Sequence, residues 1–92
     1  MKVVSKKELA NIVFEMETDE VLNFTEQSDQ ISFGIQKMKW LDNYILLIGG
    51  YHAAEVQCKD ITHCGDEEEK EAILEAIERF FKSYGIKGKV EI

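Results

Sequence analysis

The chain is predicted to be an α+β two-layer sandwich: an antiparallel β-meander of about four strands with two helices on one face, in the order α-β-β-β-β-α, with room for a short C-terminal strand. Three observations carry that prediction. Helical periodicity is confined to one segment near each end of the chain, while residues 31–58 between them hold the only Trp and a strand-like pattern of β-branched and aromatic side chains. Within that stretch, residues 44–48 (Tyr-Ile-Leu-Leu-Ile) form an unbroken apolar run, too short for a membrane span and of the length of a strand buried on both faces. Finally, 92 residues with an apolar share of 45% can build one core, so a single small domain over residues 1–92 is expected.

The elements follow in order. Ser5-Lys6-Lys7-Glu8 has the S-x-x-E form of a capping box, which predicts a helix start. Leu9, Ile12, Val13 and Met16 then recur at helical spacing as one buried stripe, ending near Glu17. Residues 21–25 read as a short first strand with Leu22 and Phe24 on one face, and residues 26–30 as a polar turn. Ile31, Phe33 and Ile35 alternate with polar residues, but Met38 and Trp40 fall on the opposite parity, with Lys37 and Lys39 where the apolar set should continue. A bulge near Gln36-Lys37 is the expected cause of that slip, and the two lysines are expected to guard a sheet edge.

Residues 41–43 form a turn into the apolar strand, and Gly49-Gly50 supplies the positive φ values that a tight two-residue hairpin requires. Residues 51–58 are then read as a strand, with a helix as the alternative. Asp66 is expected to cap the second helix, with Glu67, Glu68 and Glu69 in the first turn, where the helix dipole favours negative charge. Its stripe is Ile73, Leu74, Ile77, Phe80, Phe81 and Tyr84, and Gly85 is the stop. Val90 and Ile92 offer a final edge strand.

The net charge of −7 is unevenly spread. Residues 15–30 carry Glu15, Glu17, Asp19, Glu20, Glu26 and Asp29 without a cation, and residues 65–78 carry seven carboxylates against Lys70. Both chain ends are basic. Such a surface repels a phosphate backbone or an anionic lipid and attracts a basic protein. The N-terminus lacks the apolar region of a signal peptide, so a cytoplasmic protein without a membrane segment is expected.

His52, Cys58, Asp60, His63 and Cys64 are metal-capable, but their spacing does not make the close ligand pairs of a structural zinc site. Along a strand, His52 and Cys58 would stand roughly 20 Å apart. Adjacent His63 and Cys64 side chains diverge, which disfavours a thiol nucleophile and its base. Gly49-Gly50 lacks the Lys or Ser of a phosphate loop. No catalytic, cofactor or metal residue is assigned. The expected function is a non-catalytic acidic interaction or regulatory module, of the kind a phage or mobile element uses to inhibit a basic protein. Its surface would comprise Glu15, Glu17, Asp19, Glu20, Glu67, Glu68 and Glu71, with Trp40, Tyr44 and Tyr51 as aromatic anchors. The alternatives are a small-ligand binding module and a small metal- or thiol-dependent enzyme. If residues 44–48 are buried on both faces, two helices on one side leave apolar surface for a second copy or a partner to cover.

Overall fold

A computed structural model describes residues 2–26, 31–41, 43–49, 54–56 and 66–92. The element order is β1 (Val3–Val4), α1 (Lys6–Glu15), β2 (Val21–Glu26), β3 (Ser32–Trp40), β4 (Asn43–Gly49), β5 (Ala54–Val56), α2 (Asp66–Ser83) and β6 (Val90–Glu91). Among the described residues the strands form one antiparallel sheet in the order β1-β6-β2-β3-β4-β5. The predicted α+β class and the order of the longer elements hold.

The capping box is present in full. The Glu8 amide donates to Ser5 Oγ at 3.2 Å, and the Ser5 amide donates to Glu8 Oε1 at 3.3 Å, so two amides that a helix start leaves orphaned are satisfied reciprocally. The Ser5 amide and hydroxyl, with more distant help from Lys2 and Lys89, hold the Glu8 carboxyl below its usual range. At the far end, Gly85 closes α2 with φ +68°: the Gly85 amide donates to the Lys82 carbonyl and the Ile86 amide to the Phe81 carbonyl, a Schellman closure. Asp66 is the first helical residue of α2, inside the helix and not its cap.

Both helices cover one sheet face. Leu9, Ala10 and Val13 of α1 and Ile73, Ala76, Ile77, Phe80 and Phe81 of α2 join Phe24, Phe33, Ile35, Leu46 and Ile48 in one buried cluster. Those strand residues are cross-strand partners, Phe24 with Phe33 and Ile35 with Ile48, so they must share a face. Aromatic rings fill its centre: Phe33 lies 5.5 Å from Phe24 and edge-on to Phe80 at 5.1 Å. The helices run antiparallel, because Lys6 at the start of α1 sits over the Phe81 ring at 5.9 Å while Lys70 near the start of α2 sits over the Phe14 ring at 4.9 Å.

Several expectations fail for definable reasons. β3 carries no bulge. Its pairing with β4 is unbroken from Gly34 opposite Gly49 to Trp40 opposite Asn43, and its pairing with β2 is equally regular. The parity never slips; Lys37 follows Phe33 and Ile35 onto the helix-covered face and is only 5% exposed, so it guards no edge. Gly49 belongs to β4, and Ile48 pairs with Ala54, which places five residues between those partners and excludes a two-residue turn on Gly49-Gly50. The tight reversal lies one hairpin earlier, after Trp40, where Leu41 takes φ +56°. Residues 54–56 are a strand, as read; the rest of residues 50–58 and the turn residues 27–30 lie outside the described residues.

β1 was not anticipated. Val3 pairs with Glu91 and Val4 with Val90, and two further bonds join the backbones of Lys2 and Ile92. The final strand that Val90 suggested therefore lies between β1 and β2.

Candidate functional site

The centre of the candidate site is Lys37, which is buried because its place in β3 is fixed by the ladder on both sides. Its ammonium donates to the carbonyls of Val13 at 3.3 Å, Phe14 at 3.0 Å and Met16 at 2.7 Å. These are carbonyls at the end of α1, where a helix lacks its own donors and concentrates partial negative charge. The same ammonium stands 4.5 Å from the centroid of the Tyr44 ring, and the Tyr44 hydroxyl donates to Glu69 in the first turn of α2. One cation thus links the end of α1, the sheet and the start of α2.

Burial pushes the Lys37 amine below its ordinary value, and the carboxylates of Glu69, Glu15 and Glu20 oppose that shift through space. The backbone of Lys37 also bonds the turn after α1, its carbonyl accepting from the Asp19 amide and its amide donating to the Glu20 carbonyl at 3.2 Å. Asp19 holds φ +73° there, a conformation that Asp tolerates better than most residues.

This arrangement brings the two acidic stretches of the sequence to one end of the molecule. Because the helices are antiparallel, the end of α1 and the turn behind it (Glu15, Glu17, Asp19, Glu20) lie at the same end as the first two turns of α2 (Glu67, Glu68, Glu71), and all seven side chains are exposed. The β3–β4 hairpin projects at the same end. Trp40 is 53% exposed and Leu41 82%, and Trp40 lies on the opposite parity of β3 from Phe33, Ile35 and Lys37.

Of the aromatic residues predicted for this surface, Trp40 is exposed. Tyr44 is 8% exposed and faces the interior, because it shares the helix-covered face of β4 with Leu46 and Ile48. Tyr51 lies outside the described residues, as do His52, Cys58, Asp60, His63 and Cys64. Ile45, on the opposite face of β4, is 7% exposed in the single chain, so the apolar run of β4 does not by itself call for a second copy.

Sequence reasoning missed Lys37 and Leu41. The signal for Lys37 was present: it continues the Phe33-Ile35 parity, and the acidic stretch beside α1 contains no cation of its own. Leu41 carried no signal, since leucine is an unusual choice at positive φ. Among the described residues no helix is long and apolar enough to cross a membrane, and no three His, Cys, Asp or Glu side chains gather as a metal site requires.

Comparison with protein families, with curated proteins and with solved structures finds no match to this chain.

Proposed function

We propose that the chain is a non-catalytic interaction module that binds a basic segment of another protein at its acidic end. The observation supporting this reading is the convergence of two acidic stretches, distant in sequence, at the end of the fold that also carries the β3–β4 hairpin with the exposed Trp40 and Leu41. Carboxylates would steer a Lys- or Arg-rich partner into place, and the apolar pair would supply the desolvated contact that gives affinity. The backbone at Leu41 favours the same reading. A large apolar residue held at positive φ and 82% exposed contributes nothing evident to the core, and such positions persist where they serve a surface.

Trp40 is the only Trp and reports on this surface directly. A synthetic Lys/Arg-rich amphipathic peptide is expected to shift Trp40 emission to shorter wavelength, with affinity falling about tenfold between roughly 0.05 M and 0.2 M salt. The combined variant Glu17→Gln, Asp19→Asn, Glu20→Gln should lose most of that binding while remaining folded. An emission spectrum unmoved by the peptide, or binding indifferent to salt and to the three substitutions, would refute the proposal.

A further inference from the structure

The pairing of β1 with β6 does to the basic residues what the antiparallel helices do to the acidic ones. It brings the basic N-terminus and the basic C-terminus, at opposite ends of the sequence, to one end of the fold. There a cavity of about 530 Å³ opens between the start of α1, the last turns of α2 and the segment that follows Gly85. Four cations line it: Lys6, Arg79, Lys82 and Lys87. Glu78 is the only carboxylate among its lining residues, and the buried Phe81 and Ile86 lie beneath.

The helix end explains part of this. Lys82, and more weakly Arg79, complement the negative pole of α2, as cations in a last turn commonly do. Lys6 and Lys87 come from other elements and have no such role. The chain has 18 carboxylates for 11 Lys and Arg, yet among the described residues none of these four cations makes an ion pair. The amides of Lys87 and Gly88 likewise make no backbone hydrogen bond there, with Gly88 at φ +85°. In a protein of net charge −7, a concave site lined by four cations against one carboxylate is a local inversion of sign.

We propose that this cavity binds a small organic polyphosphate. Its volume suits a metabolite-sized ligand, larger than a bare ion. Arg79 offers the bidentate geometry that phosphate oxygens accept, and the three lysines add mobile point charges. The hydrocarbon stems of the cations, above Phe81 and Ile86, provide the apolar wall for the organic part. Nucleic acid fits less well, since these four cations line a single cavity. The site is separate from the proposed acidic interface and stands or falls independently of it.

The test uses the full chain with ATP and inorganic pyrophosphate as probes, at constant ionic strength maintained with chloride. ATP should raise the melting temperature saturably, with a dissociation constant of about 0.1 mM. It should also move the backbone amide resonances of Lys6, Arg79, Lys82 and Lys87, and pyrophosphate should compete. The double variant Arg79→Ala, Lys87→Ala alters only exposed side chains; it should fold as the wild type does and bind ATP at least about tenfold more weakly. Three results would overturn the proposal: no saturable shift, ATP binding unaltered in the double variant, or an equal response to chloride. So would sedimentation showing that the chain self-associates and that the double variant abolishes it, because the cavity would then be receiving the acidic end of a second copy.

Discussion

At the acidic end a single cation, Lys37, is buried and donates to three carbonyls of α1, whereas at the other end Lys6, Arg79, Lys82 and Lys87 surround open space. The same kind of charge is structural in one place and spare in the other. What differs is the partner. Lys37 meets partly buried carbonyls at the end of α1, so its removal takes the side-chain donor from Phe14 and Met16. The cations of the basic end are solvated whether or not they are bound, so their removal costs the fold little. Burial, more than charge, decides which lysine holds this molecule together.

The comparison can be broken most directly at Lys37. Lys37→Met keeps much of the stem and removes the donor, and is expected to destabilise the chain by about 2 kcal/mol, a fall of about 10 °C in melting temperature. The pH dependence has a definite sign. Because burial lowers the Lys37 pKa in the folded state below the ordinary 10.5, the unfolded chain holds that proton more tightly in the window between the two values. Wild-type stability relative to Lys37→Met should therefore increase as pH rises through that window up to 10.5, as urea titrations at several pH values would show.

Ser5→Ala comes next, with an expected cost of about 1 kcal/mol from loss of the cap. Glu8 is held below its ordinary 4.5 by Ser5, so the stabilisation it provides is present above that value and is lost as pH falls through its lower folded value. Acid unfolding of Ser5→Ala should accordingly depend less on pH in that range. A smaller effect, of opposite sign, is expected at the hairpin: Leu41→Asn relieves the positive φ and should stabilise by about 0.5 kcal/mol while weakening binding of the basic peptide. A gain in both stability and affinity would remove Leu41 from the proposed surface. Smallest of all, Lys87→Ala should change stability by less than about 0.5 kcal/mol; a loss as large as that of Lys37→Met would erase the contrast between the two ends.

Much of the fold was legible where the cause is local. The Ser5-x-x-Glu8 box, the stripe of α2 as far as Phe81 and the Gly85 stop each depend on residues within a few positions of one another, and each is found where periodicity and capping chemistry place it; Tyr84, the last residue of the predicted stripe, lies past the helix and is half exposed. What failed depends on distant segments. β1 is two residues long and exists only because Val90 and Glu91, at the other end of the chain, pair with it. The lysine at position 37 broke an apolar alternation, and the local remedy was a bulge. The actual remedy was non-local: carbonyls of α1 more than twenty residues earlier and Glu69 on the other helix accommodate an ammonium in the interior. The acidic residues were identifiable as a group from composition, but their convergence at one end follows from the antiparallel helices, which no window of sequence contains.

The β1–β6 pairing also sets how the molecule would respond to tension. Lys2 and Ile92 are hydrogen-bonded to each other, and the strands they flank are antiparallel. A force applied at the two ends therefore loads the bonds between these strands one after another, unzipping them instead of shearing them together. Extension would begin at Lys2 and Ile92 and free β1 first, because β6 is held on its other side by β2.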